Sequence, residues 1–322
     1  MKKFLRITGI LFLVLLSGIG VLLAYVKYML PDIGPAPDIK IEATPEAVKR
    51  GAYLANHVAV CIDCHSTRDF SKFAGPIVPG TNGNGGEIFD QQFGFPGKFY
   101  AKNITPHHLG SWTDGEIYRA ITTGVSKNGN ALFPVMPYGS YSQMHTEDVK
   151  AIIAYLRTLP AIDKEIPASV PDFPMNFIIN TIPKKAEPMA AVTPADTVAY
   201  GKYLTTIAGC GECHTKQEKG SITGEYMAGG FEFKMPDGSI LRSANITPDT
   251  TTGIGNWTAD YFVERFKTYA NGTPAVEKGA FNTIMPWAMY SGMDTTDLRA
   301  VYAYLNSLQA SSNKVEKLTA KK

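Results

Sequence analysis

Cys61-Ile62-Asp63-Cys64-His65 and Cys210-Gly211-Glu212-Cys213-His214 are two Cys-x-x-Cys-His boxes, and together they use all four cysteines of the chain. The spacing fits c-type haem attachment, in which two thiols add to the haem vinyl groups and the adjacent His takes the proximal iron position. The expected cofactors are therefore two covalently bound haem c groups, held through Cys61, Cys64, Cys210 and Cys213, with iron on His65 and His214. Other uses of the cysteines fit less well. One zinc shared by four thiolates would need pairs much closer than the 149 residues between Cys61 and Cys210, and would not ask for a His after each. Redox-active pairs of the thioredoxin kind need a βαβ context that these flanks do not offer.

Working outward from the boxes, residues 46–160 and 196–310 read as two copies of one unit. Gly51-Ala52-Tyr53-Leu54 precedes the first box and Gly201-Lys202-Tyr203-Leu204 the second, each on a predicted amphipathic helix. Asn103-Ile104-Thr105-Pro106 matches Asn245-Ile246-Thr247-Pro248, and Trp112-Thr113 matches Trp257-Thr258. At the far ends, Tyr155-Leu156 and Tyr304-Leu305 lie in helical patterns whose first turns carry Glu147 and Asp148, or Asp297. The six prolines of residues 161–195 exclude a long helix and predict an extended linker. Gly83-Asn84-Gly85-Gly86 lacks the strand and helix of a phosphate loop and reads as a mobile surface loop. The Asn-x-Thr triplets at Asn103, Asn245, Asn256 and Asn271 carry little weight as glycosylation sites.

The iron's second axial partner separates an electron carrier from an enzyme. Met136-Pro137-Tyr138 and Met285-Pro286-Trp287 occupy matching places, each 75 residues after the first Cys of its box, in irregular Pro-marked segments. Met136 and Met285 are the expected distal ligands. Met144 and Met293 also correspond, but they sit where an apolar residue staples a helix start, and read as packing. Met289 has no methionine counterpart. His57 falls on the proximal side, and His107, His108 and His145 read as polar loop residues. Both irons then have filled coordination spheres.

The chain has 322 residues, enough for two domains and a leader, and 44% hydrophobic content supports real cores. A net charge of only +2 gives no footprint for a nucleic-acid partner. Ile7 to Val26 runs twenty residues without a charge, about 30 Å as a helix, after Lys2, Lys3 and Arg6. We read residues 1–30 as an inner-membrane anchor or uncleaved signal, with the basic end in the cytoplasm and the haem units on the periplasmic side. Residues 31–45 form a stalk and residues 311–322 a charged tail, whose closing stretch Lys314–Lys322 reads as solvated and mobile.

These residues resemble tandem class I cytochrome c domains, and more closely the cytochrome subunits of membrane-bound bacterial alcohol and gluconate dehydrogenases. The resemblance rests on Asn245-Ile246-Thr247-Pro248-Asp249, Thr252-Gly253-Ile254-Gly255, Trp257-Thr258, Met285-Pro286 and Ala303-Tyr304-Leu305, and more loosely on their counterparts in the first copy. It implies a mainly α protein: an N-terminal transmembrane helix followed by two cytochrome c-like helical domains, with few or no strands. It also implies Cys61, Cys64, His65 and Met136 around one haem, and Cys210, Cys213, His214 and Met285 around the other. Those subunits typically carry three haem boxes where this chain has two, which leaves the partner open.

The expected function is electron transfer by a membrane-tethered di-haem cytochrome c, between a dehydrogenase or other donor and an oxidase or cytochrome acceptor of the respiratory chain, with no catalytic residues. The alternative is a di-haem enzyme, a cytochrome c peroxidase or sulfur-compound oxidoreductase. It would need one exchangeable distal position, whereas both copies offer a Met. A third reading is an assembly subunit that its haems merely stabilise.

Overall fold

The computed structural model of the chain describes residues 1–277 and 280–320. Its first element, α1 (Lys2–Tyr28), contains the uncharged run and is long and apolar enough to cross a membrane. Every residue of α1 is exposed except Val26, which is half-buried.

The first repeat opens with α2 (Pro45–Tyr53). Pro45 sits in the first turn, where its missing N–H costs nothing, and Thr44 Oγ1 accepts from Ala47 N. A widened π-helical turn over Leu54–Val58 leads to α3 (Cys61–Cys64). There follow α4 (Pro106–Leu109), α5 (Asp114–Thr123), α6 (Tyr138–Tyr141) and α7 (Thr146–Thr158), and then α8 (Met175–Ile178) between the repeats. The second repeat supplies α9 (Thr197–Ile207), α10 (Cys210–His214), α11 (Ala259–Lys267), α12 (Trp287–Tyr290) and α13 (Thr295–Asn306). The repeated Trp-Thr pair acquires a physical meaning here. Thr113 caps α5 in a capping box with Glu116, and Thr258 Oγ1 caps α11 by accepting from Tyr261 N.

In each half the first and last long helices cross at a glycine. A Cβ on Gly51 would lie 1.8 Å from Ala151 O of α7, and one on Gly201 would lie 1.9 Å from Ala300 O of α13. Only glycine lets the two backbones touch. Around these crossings one continuous apolar core runs through both halves, including Leu54, Val58, Ile152 and Ile153 from the first and Tyr203, Leu204, Ile207 and Leu298 from the second.

Helices make up 40% of the described residues. The rest is loop and eight strands of two to four residues among the described residues, more strand than the resemblance implies. They form three small antiparallel sheets: β1 (Ile88–Phe89), β2 (Gly97–Tyr100) and β3 (Val170–Pro171); β4 (Gln217–Glu218) with β5 (Ser221–Ile222); and β6 (Glu232–Lys234), β7 (Ile240–Arg242) and β8 (Leu318–Thr319).

Two expectations change. The stretch Gly83–Gly86 is not a mobile surface loop: Asn84 is buried, and Gly83 N, Gly85 N and Gly86 N donate to Ser66 Oγ, His65 O and Ala101 O. The tail is not free in solvent, because β8 pairs with β7 and buried Ser311 accepts from Asn245 Nδ2. Lys321 and Lys322 lie outside the described residues. The linker contains a strand and the turn α8, and the stalk is docked, with Ile41 N donating to Asp114 Oδ2.

Candidate haem sites

Each Cys-x-x-Cys-His box is entered through a residue with left-handed backbone, Val60 (φ 46°) before Cys61 and Gly209 (φ 65°) before Cys210. The kink starts a helical turn that places both thiols and the imidazole of a box on one short element. Burial pushes the thiols of Cys61, Cys64 and Cys210 up to about 12 and that of Cys213 up to about 11. They are protonated thiols rather than thiolates. Cys61, Cys64 and Cys210 are nonetheless half-buried residues, and Cys213 is exposed. No three His, Cys, Asp or Glu side chains gather as a metal site among the described residues, so the two pairs do not converge on one zinc.

The imidazoles share a second-sphere contact. His65 Nδ1 lies 2.6 Å from Lys102 O, and His214 Nδ1 lies 2.7 Å from Ala244 O. A carbonyl only accepts, so Nδ1 carries the proton and Nε2 keeps its lone pair. Burial lowers the pKa of both rings, opposed by those carbonyl bonds, which favours neutral imidazole. A neutral His with Nδ1–H on a backbone carbonyl is the arrangement that metal-ligating histidines show.

The accepting carbonyls are fixed by residues whose role the sequence pattern alone had not revealed. Lys102 and Ala244 immediately precede the two Asn-Ile-Thr-Pro runs. Asn103 Oδ1 accepts from Thr105 N and Oγ1, while its Nδ2 donates to Ile162 O and Lys164 O beyond α7. Asn245 Oδ1 likewise accepts from Thr247 N and Oγ1, and its Nδ2 donates to Ser311 O and Asn313 O beyond α13. Facing these runs are Gly85-Gly86 and Gly229-Gly230, all with positive φ. Gly85 N donates to His65 O and Gly229 N to His214 O, and a Cβ on either glycine would come within 2.5 Å of the backbone carbon of Lys102 or Ala244. The repeated Gly-Gly pair was the available signal for this contact.

Met136 and Met285 are half-buried and pack against the same core as Cys61 and Cys210. Each stands just before a short helix, α6 or α12, that starts at the residue after its Pro. Those helices are tied to the boxes: Tyr141 Oη donates to Ala59 O and Tyr290 Oη to Ala208 O, both at 2.7 Å. The tie holds each Met-Pro turn beside the peptide two residues before the first Cys of its own box. Met144 and Met293 are fully buried in the core, as expected of packing residues.

The remaining histidines serve other contacts. His57 Nδ1 lies 3.0 Å from Met289 O in the opposite half. His145 stacks on Tyr203 at 4.0 Å, and His107 Nε2 lies 3.4 Å from Asp163.

The donor set fits haem c: two thiols and a pre-oriented neutral imidazole per box, with a thioether turn tied alongside. Comparison with known proteins agrees. Residues 198–309 match the Cytochrome c family. The chain is 28% identical to the gluconate 2-dehydrogenase cytochrome c subunit of Pantoea cypripedii, over 84% of this chain and 61% of that one. It is 30% identical to the cytochrome c subunit of the quinone alcohol dehydrogenase of Gluconacetobacter polyoxogenes, over 82% and 57%. A diheme cytochrome c-type protein of Cereibacter sphaeroides is 28% identical over 78% of this chain and 82% of its own length. The chain thus spans under two thirds of the length of the two dehydrogenase subunits. Its second half contains a cytochrome c domain, and the chain is related along most of its length to the cytochrome c subunits of quinone alcohol and gluconate dehydrogenases.

Proposed function

We propose that the chain is a membrane-tethered di-haem cytochrome c that passes electrons from a dehydrogenase subunit, or another donor, towards a respiratory-chain acceptor. The observation that carries this reading is the pair of imidazole–carbonyl bonds, His65 to Lys102 and His214 to Ala244, at equivalent places in the two repeats. In this reading residues 46–160 and 196–310 are two haem domains. Cys61, Cys64, His65 and Met136 hold one group, and Cys210, Cys213, His214 and Met285 the other. Bound there, haem c would supply a reversible one-electron iron couple.

The chain's own residues do the rest. The Lys102 and Ala244 carbonyls hold the Nδ1 protons, so each imidazole presents Nε2 in one orientation. The tyrosine ties of α6 and α12 keep the methionine turns beside their boxes. With Met136 and Met285 as the second ligands, no position would be left for peroxide or another substrate, and the thioethers and apolar burial would raise the reduction potential. Tethering through α1 places the carrier in a layer near its partners and raises its effective concentration. The names of the relatives favour a dehydrogenase as donor. The inner membrane, with the haem domains in the periplasm, is the location that agrees with α1, its basic N-terminal end and haem attachment.

Ferric low-temperature spectra of the purified chain test this reading. Two low-spin His–Met signals are expected. Met136→Ala and Met285→Ala should each convert one signal, and only one, to a high-spin form, and that haem should bind carbon monoxide once reduced. An unchanged spectrum in either variant contradicts that ligand, and a high-spin haem in the unmodified protein would favour a peroxidase.

A further inference from the structure

The segment between the repeats leaves apolar side chains in the open beside the end of α1. From Ile166 to Pro183 the sequence carries a single charge, Asp172, and then turns basic at Lys184-Lys185. Within this stretch Val170 is 62% exposed, Phe173 79% and Ile178 43%. Phe173 also makes an edge contact with Phe177, at 6.4 Å between ring centroids. An exposed aromatic and aliphatic cluster on a segment that folds back onto the protein needs a partner that covers it.

The fold gives its height. Both α8 and the following 3-10 turn Ile179–Thr181 pack against α1. Val26 is the one residue of α1 that is not exposed. Asn180 shares a cleft with Lys27, Tyr28, Met29, Leu30 and Pro31, at the very end of that helix. Val26 also closes the uncharged run that begins at Ile7, whose length of about 30 Å matches one hydrocarbon core. If that run spans the bilayer, α8 stands where hydrocarbon gives way to headgroups. Exposed Tyr25 and Tyr28 lie at the same level, as in an aromatic belt.

We propose that residues 170–179 form a second membrane contact, with Phe173 and Ile178 inserted into the lipid interface next to α1 and Lys184-Lys185 set towards the headgroups. This rests on the anchor reading of α1. Two points of contact would fix the height and tilt of the first repeat over the bilayer, where α1 alone would let it swing about the end of the helix.

The test is photolabelling of the full-length chain in lipid vesicles with an apolar phenyl-diazirine that partitions into the bilayer, mapped by peptide mass spectrometry. Label is expected on residues 7–26 and on residues 170–179. In the double variant Phe173→Ser, Ile178→Ser, label on 170–179 should fall severalfold while label on 7–26 is unchanged. Label on 7–26 alone in the unmodified chain overturns the second contact and leaves the anchor standing. That outcome would mean that solvent or a partner protein covers the cluster. Label on neither segment removes the anchor reading itself, and the second contact with it.

Discussion

In the first half of the molecule the carboxylate of Asp148 faces the guanidinium of Arg50, at 2.8 and 2.9 Å; in the second, Asp297 at the equivalent place meets the phenols of Tyr53 and Tyr200. Each acid also receives a tyrosine from the opposite half. Tyr203 Oη donates to Asp148 Oδ2 and takes His145 N, while Tyr53 Oη donates to Asp297 Oδ2 and takes Asp294 N. The clasp is therefore reciprocal, like the self-complementary interface of a two-fold dimer, but built within one chain. Its geometry is duplicated and its charge is not. One acid pairs directly with a cation, while the other is hydrogen-bonded only by neutral phenols, and burial raises the pKa of Asp297 against the bond from Tyr53 and the more distant charge of Arg50.

The feature shared most strictly should be the most sensitive to change. At the helix crossings a methyl group would overlap a backbone carbonyl in either half, so Gly51→Ala and Gly201→Ala should each lower stability by about 3 kcal/mol or more, measured by chemical denaturation. A mild effect in one half alone would break the equivalence of the two crossings.

The acids should differ. Asp148→Asn leaves Arg50 without its counter-charge and should cost about 2 kcal/mol, less than for a fully buried pair because Arg50 is about a third exposed. Asp297→Asn, which strands no cation, should cost about 1 kcal/mol or less. Equal losses would show that the clasp does not depend on charge.

A smaller difference lies before the boxes. Gly209 has room for a methyl group, its nearest neighbours standing 3.8 and 3.9 Å from a built Cβ, so Gly209→Ala should cost only the left-handed backbone, about 1 kcal/mol. Val60 adopts that conformation with a β-branched side chain, so the first half already carries such strain.

The smallest effect is a pH dependence. The folded-state pKa of Asp297 lies above its unfolded value, so its contribution to stability is fully present below about pH 4 and is lost as the pH rises through the folded pKa. The melting temperature of the unmodified protein minus that of Asp297→Asn should therefore be larger near pH 4 than near pH 7. No change in that difference would mean that Asp297 titrates alike folded and unfolded.

Much of this was legible beforehand. The Cys-x-x-Cys-His boxes, the repeated motifs, the Met-Pro turns and the apolar N-terminal helix are signalled by residue type and spacing, which survive in a linear reading. What the pattern hid depends on contacts between distant segments. The linker after α7 and the tail after α13 look unrelated, one Pro-rich and the other charged. Yet both are bound by the Asn of an Asn-Ile-Thr-Pro run, because what is repeated is a backbone carbonyl that any residue provides. The Gly-Gly pair resembled a loop because glycine's freedom is the same signal whether it serves mobility or a close approach. Tyr53 and Tyr203 stood out only as helix residues, since nothing in one repeat reveals that its partner lies in the other.

The central claim is that each box bears a covalently attached haem. Intact mass spectrometry of the full-length chain, purified from cells competent in export and haem attachment, tests it most directly. The account predicts a single species heavier than the polypeptide by two haems, which denaturation does not remove. The mass of the bare polypeptide, or of the polypeptide with one haem, would contradict it.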